Sequence, residues 1–252
     1  MPRFLTFALV APMASFGAIA VGERRSGWDR PARSAVLGLI GACLGLERDD
    51  DAAQEALAGQ YSVALLCHAP GRLLADYHTT QVPSSKRGRR FATRAEELAE
   101  PELNTVLSRR DYRIGAWHLG AIWPSADTCR WPLEALSDAM RHPVFVPYLG
   151  RKSCPLGLPL GPAIVEAPDA ASALTERHRS GPEATLLAPG GRPLRGLLAD
   201  RPAETIVAMD TTPETAADPR HLRTEFRRDQ PRSRRRWQFD LRQEAVLGTG
   251  TP

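Results

Sequence analysis

Residues 33–46 constrain this chain more than any other segment. Ala35, Val36, Leu37, Leu39, Ile40, Cys43 and Leu44 make the stretch apolar around most of a helix circumference, with Pro31 ahead of it and Gly45 near its end. Such a helix has to be packed on both sides. Gly38 and Gly41 lower its helix propensity, and close packing against a sheet is the physical reason they suggest. Strand patterns at Phe4 to Ala11, Ser62 to His68, Leu73 to Thr80, Tyr112 to Ile122 and Leu160 to Val165 supply that sheet. Pro70-Gly71 reads as the turn of a hairpin between the second and third of these. Asp49-Asp50-Asp51 caps a second helix to about Gln60, and Pro132 to His142 forms another that carries Leu133, Leu136 and Met140. The order strand, helix, strand, excursion, strand, helix, strand predicts an α+β fold, a ferredoxin-like (RRM-like) sheet with two helices on one face.

The excursion, at about 82–108, runs through Ser84-Ser85-Lys86-Arg87-Gly88-Arg89-Arg90 to Glu96-Glu97 with few apolar anchors, so it is expected to stand exposed. Two units are expected: residues 1–167 with the excursion inserted, and residues 168–252 as a smaller β-rich lobe. That lobe has a helix at Ala170 to Arg177 and strands at Glu204 to Met209 and Trp237 to Leu241. Nine arginines lie between Arg220 and Arg242 against Glu225, Asp229 and Asp240, with Phe226, Trp237 and Phe239 interleaved. This basic tail combines charge that seeks phosphate with surfaces that stack.

With 252 residues, 42% hydrophobic and 25% charged, the chain is of globular type, which excludes a disordered or fibrous protein. Of 33 basic residues only Lys86 and Lys152 are lysine, and arginine is the side chain whose planar fork suits phosphate. The net charge of +4 is too mild to establish a nucleic-acid partner by itself. Cys43, Cys67, Cys129 and Cys154 form no C-x-x-C pair and read as reduced thiols, and the six histidines show no metal-ligand spacing. No metal and no cofactor are expected. Phe4 to Ala11 imitates a secretory signal, but Pro12 and Gly17 interrupt it and one positive charge precedes it, so it reads as a buried strand. No other run approaches a membrane span, and the chain is expected to be soluble and cytoplasmic, with no membrane partner.

Three short motifs bear on chemistry. Gly150-Arg151-Lys152-Ser153 departs from a nucleotide-binding P-loop because Arg151 splits the Gly-Lys pair, which leaves a basic glycine turn able to hold a phosphodiester. Asp76-Tyr77-His78-Thr79 sets a histidine beside a phenol at a strand end. There His78 either acts as a general acid or base in RNA cleavage or packs against and hydrogen-bonds RNA, and no second acid-base partner is evident. At Arg109-Arg110-x-Tyr112, strand alternation sends Arg110 and Tyr112 to one face and Arg109 to the other.

Ala11-Pro12-Met13-Ala14-Ser15-Phe16-Gly17, the segment from Pro31 to Gly45, Arg48-Asp49-Asp50, Asp76-Tyr77-His78-Thr79 and Pro147-Tyr148-Leu149-Gly150-Arg151-Lys152-Ser153-Cys154-Pro155 occur in that order. Together they resemble the CasD family of type I-E CRISPR Cascade subunits, in the RAMP superfamily. The resemblance implies a palm with a protruding thumb, the excursion, and a grip on the 5′ handle of the guide RNA (crRNA). It also implies a place at one end of the CasC backbone filament, a thumb over the adjacent CasC subunit, a role in seating the large CasA subunit, and target DNA met only through the complex. Ser15, Arg33 and Ser34 would lie near the handle, where helix N-terminal amides favour phosphate. Tyr77, His78, Arg109 and Arg110 would line the root of the thumb, and Arg151, Lys152 and Ser153 the neighbouring loop. Phe16 stands where the family usually has tryptophan, which keeps an aromatic surface and loses an indole donor.

The leading expectation is a non-catalytic RNA-binding assembly subunit, not an enzyme. Type I-C relatives in the same superfamily are metal-independent endoribonucleases, so the alternative is a nuclease that cuts CRISPR repeat RNA through His78. A third class is a protein that only docks other subunits.

Overall fold

The N-terminal apolar run forms strand β1 (Arg3–Ala14), whose alternation splits its side chains between two cores. A computed structural model describes residues 1–18, 20, 22–85, 88, 90–187 and 205–249. Leu5, Phe7 and Leu9 join one apolar cluster and Phe4, Ala8 and Val10 the other. Both faces of the sheet are therefore covered.

The strands that follow are β2 (Arg24–Arg25), β3 (Tyr61–Ala69), β4 (Arg72–Pro83), β5 (Leu103–Pro124), β6 (Ala163–Glu166), β7 (Ile206–Asp210), β8 (His221–Ser233) and β9 (Gln238–Gly248). They form one sheet in the order β6-β1-β5-β3-β7-β9-β8, and β2 and β4 attach to the outer half of β5. All pairings are antiparallel except β2 with β5. The architecture is α+β. The expected hairpin between β3 and β4 does not form: both strands pair with β5, β3 along Trp117–Pro124 and β4 along Leu103–Ile114. Gly71, at φ +79°, turns the chain from one half of β5 to the other, where an added Cβ would lie 3.0 Å from the Ile114 carbonyl oxygen.

Much of the expected excursion is thus strand-paired, and with the short helix α3 (Arg94–Leu98) it makes a two-stranded arm that leaves the sheet as a continuation of β5. Lys86, Arg87 and Arg89 lie outside the described residues, as does Glu204 at the start of the expected strand before Met209.

Helices α1 (Arg33–Leu44), α2 (Asp51–Gly59) and α4 (Leu133–Arg141) contribute to the first cluster and α5 (Ala170–Ser180) to the second. The chain also forms short helices α6 (Pro182–Leu187) and α7 (Pro213–Ala216). Helix α4 buries Leu133, Leu136 and Met140 on one stripe, the spacing of an amphipathic helix. The glycines of α1 meet neighbours other than a sheet: Gly38 lies against the Arg234 guanidinium and Gly41 against Leu57 of α2 and Leu46. Among the described residues no helix is long and apolar enough to cross a membrane.

The start of α1 is joined to β8 and β9 by charges. Arg30, 1% exposed, donates to Glu244, Glu225 and Asp29. Arg242 donates to Asp229 and Glu244, and Arg227 lies between Glu244 and the Trp28 ring. Burial alone would favour neutral groups here, yet three arginines outweigh it at Glu244 and hold that carboxyl below its usual range. At Arg227 burial wins and lowers the guanidinium pKa. A set of this kind is worth little against an apolar replacement, but removing one member strands the others, at a cost of about 3–5 kcal/mol.

Candidate nucleic-acid interface

The turn at 148–155 owes its position to Ser15 and Gly150. The Ser15 N–H donates to the Leu149 carbonyl at 3.0 Å, and its hydroxyl to the Asp111 carbonyl at 3.3 Å. Gly150 has φ +91°, and a Cβ there would fall 1.7 Å from the Ser15 carbonyl oxygen, so no other residue lets the two backbones approach this closely. Ser15 is accordingly buried, a support for the turn rather than a surface group. Within the turn the Cys154 N–H donates to the Arg151 carbonyl at 2.8 Å, which leaves Lys152 and Ser153 exposed at its tip. The Arg151 guanidinium lies 4.5 Å above the buried Tyr112 ring, so the turn covers the face of β5 that carries Tyr112.

Register assigns the arm's residues to faces. Asp76 opposes Arg110, His78 opposes Ser108 and Leu74 opposes Tyr112, so these share the face under Arg151. Tyr77 opposes Arg109 on the other face. Of the four residues expected at the root of the arm, then, His78 and Arg110 lie together, and Tyr77 and Arg109 lie behind them. His78 Nε2 is 2.7 Å from Asp76 Oδ2. Tyr77 and Arg109 are exposed.

Strand β2 brings two further arginines to the root of the arm. Arg24 pairs with Arg109 and Arg25 with Arg110, so four arginines stand abreast across two strands. Among the described residues none of the four, nor Arg151 or Lys152, forms an ion pair with a carboxylate. The signal that could have found β2 is the Arg24-Arg25 pair itself, yet two residues show no periodicity to mark a strand.

Arg33 is turned inward. Its side chain is buried, with Nε donating to Asp210, Nη1 to Gln230, and Nη2 to the Ala58 and Tyr61 carbonyls. Its backbone N–H donates to Asp229 Oδ2 at 2.8 Å. The first amide of α1 already holds an anion, and it is a protein carboxylate. Ser34 follows with its carbonyl accepting from Arg234, so it faces the β8–β9 hairpin. Four arginines of the basic tail are likewise engaged: Arg220, Arg223, Arg227 and Arg242 are tied to Asp218, Glu225, Glu244 and Asp229.

Burial pushes the Cys43 and Cys67 thiols up to about 11 and about 12, which keeps both protonated. No group of three or more His, Cys, Asp or Glu side chains is placed to hold a metal among the described residues.

Comparison with known proteins identifies the family. The chain is 31% identical over 184 residues to the CRISPR system Cascade subunit CasD of Escherichia coli (strain K12), covering 69% of this chain and 76% of that protein. A chain in a solved CRISPR RNA-guided surveillance complex superposes with TM-score 0.61 at 21% identity, over 99% of this chain and 91% of the other. A crystal structure of a Cas protein gives TM-score 0.55 at 23% identity, over 98% and 95%. At such identities these two bear on the fold alone. The profile of the CRISPR-associated protein (Cas_Cas5) family matches residues 4–243, nearly the whole chain, and the chain belongs to that family.

Proposed function

We propose that this chain is a Cascade subunit that binds the 5′ handle of the crRNA without cutting it, through the 150–153 turn and the root of the arm. The observation that carries this reading is the set Arg24, Arg25, Arg109, Arg110, Arg151 and Lys152 around the root of the arm, Arg25, Arg110 and Arg151 on the Tyr112 face and Arg24 and Arg109 on the other, with no carboxylate among the described residues ion-paired to any of them. Cations not neutralised by a carboxylate release counterions when phosphates replace those ions, and this release drives backbone binding. Ser153 adds an exposed hydroxyl at the turn, Tyr77 an exposed ring on the far face, and His78, beside Asp76, a hydrogen-bonding group rather than a catalyst. Ser15 acts by fixing the turn, and Arg33 and Ser34 by fixing α1.

The order β6-β1-β5-β3 with α1 and α4 packed together on one face fits a ferredoxin-like palm. The arm is read as the thumb, and the strands after residue 168 as a lobe attached through β7. In the assembly the subunit caps the CasC filament, lays the thumb over the adjacent CasC, helps seat CasA, and meets target DNA only through the complex, in the cytoplasm. Exposed apolar side chains support docking: Val144 is 66% and Val146 80% exposed in one loop, and Leu73 and Tyr77 share a face of the arm.

The test is a mobility-shift titration of handle RNA over a range of salt, with Arg110→Ala and Lys152→Ala beside the parent. Weaker binding with a salt slope flattened by about 1 per lost contact is expected, and unchanged affinity overturns the assignment. Repeat RNA incubated in EDTA should stay intact. A discrete cut that disappears in His78→Ala would replace the proposal with an endoribonuclease.

A further inference from the structure

The turn of the β8–β9 hairpin has a feature that stability does not explain. Trp237 has φ +56°, in the left-handed region that glycine or asparagine ordinarily fills, and its ring is 59% exposed. A bulky residue held in that conformation works against folding, and its ring gains little burial in return. Arg48, just past the end of α1, places its guanidinium 4.9 Å from the ring centroid, and Arg234 lies 6.0 Å away. Phe239 packs edge-on to Trp237 at 5.7 Å. Arg234 is anchored by the Ser34 carbonyl and rests on Gly38, and both burial and the nearby Arg48 charge lower its pKa. Arg235 and Arg236 extend from the same turn, both exposed. Among the described residues no carboxylate pairs with Arg48, Arg234, Arg235 or Arg236, although the other arginines of the hairpin largely do have one.

We propose that Trp237, framed by Arg48, Arg234, Arg235 and Arg236, is a second binding site, for a single-stranded nucleic acid, with the indole as a base-stacking platform and the guanidinium groups as phosphate contacts. An exposed strained ring bordered by mutually repelling cations is complementary to a ligand that carries both a π-face and negative charge. A protein surface would supply one carboxylate at a time. A polynucleotide supplies regularly spaced anions and a stackable base together. The site lies at the tip of the β8–β9 hairpin beside α1 and uses none of the residues assigned to the handle, so it stands whether or not the handle assignment does.

The experiment measures anisotropy of a short fluorescein-labelled oligouridylate, and separately of the matching oligothymidylate, on the full chain. Variants are Trp237→Gly, Trp237→Phe and the double change Arg235→Ala with Arg236→Ala. Glycine suits the left-handed turn, so Trp237→Gly keeps or improves the unfolding midpoint while it removes the ring. Loss of about tenfold or more in affinity with glycine, near-parent affinity with phenylalanine, and a flatter salt slope in the arginine variant are expected. Equal affinity of Trp237→Gly and parent for both oligonucleotides overturns the proposal. So does a defect seen only on assembly with partner subunits, which would make the turn a protein contact. A loss confined to the ribo- or the deoxyribo-oligonucleotide identifies which strand the site takes. Lys152→Ala, run in parallel on handle RNA, keeps this result separate from that of the handle surface.

Discussion

Arginine does opposite work in two regions of this molecule. At the junction of α1 with β8 and β9, Arg30, Arg33, Arg227 and Arg242 are largely withdrawn from solvent and face Glu244, Asp229 and Asp210. At the root of the arm, Arg24, Arg25, Arg109 and Arg110 stand abreast and form no ion pair among the described residues. The residue type is the same, and what separates the two groups among the described residues is a formed ion pair with a carboxylate. A neutralised arginine is structure, and one left without a partner is available to a polyanion.

The sharpest way to break this contrast is Glu244→Ala. It removes the carboxylate shared by three buried guanidinium groups and should lower unfolding free energy by about 3–5 kcal/mol in urea titrations, while handle affinity of the folded fraction stays at the parent value. Arg33→Ala should fall in the same class, with stability lost and handle affinity kept. Equal effects of either change on both quantities would erase the distinction.

The pH dependence sharpens it next. His118 is fully buried on the sheet, and burial lowers its pKa to about 3, so it is neutral where the junction arginines are charged. The unfolded chain binds that proton from about pH 6.5 downward and the folded chain does not. Stability should therefore fall on acidification, by about 1.4 kcal/mol per pH unit from this group alone, until the folded value is reached. His118→Leu should flatten that limb in pH-dependent melts. The Glu244 carboxyl, held below its ordinary value, adds stability that is present above the unfolded pKa and lost as pH falls through the folded one. Glu244→Ala should remove the lower part of the curve and leave the His118 limb.

Gly150→Ala tests the interface side without touching charge. The new carbon would overlap the Ser15 carbonyl and add about 1–3 kcal/mol of strain in the left-handed region, so the turn should shift and handle binding weaken. The smallest effect is expected from Arg25→Ala. Its salt slope should flatten by about 1, with an unfolding free energy within about 0.5 kcal/mol of the parent.

Local features of this architecture were legible in the sequence. The apolar run of β1, the nearly all-apolar α1, the Asp50 cap of α2 and the Leu133, Leu136, Met140 stripe of α4 all follow from spacing along one segment. What was illegible is nonlocal. Pro70-Gly71 reads as a hairpin turn whichever strand receives β4, and only the partner distinguishes pairing with β3 from pairing with β5. Arg33 at a helix start looks ready for phosphate until Asp229 arrives from 196 positions later. The 150–153 turn was legible as a basic loop, but its dependence on Ser15 rests on a contact between distant backbones.

Arg30 and Glu244 are separated by 214 positions. At a synthesis rate of roughly 5–20 residues per second, about 10–40 s pass between the appearance of the arginine and that of its carboxylate. For most of that interval, until Glu225 and Asp229 are made, α1 has no acid at its N-terminus and Arg30 has only Asp29 beside it. The nascent chain must wait in a partly organised form that displays apolar surface to the chaperones around it. Its last strand is therefore the clasp, and a stalled ribosome anywhere before it leaves the first helix unfastened.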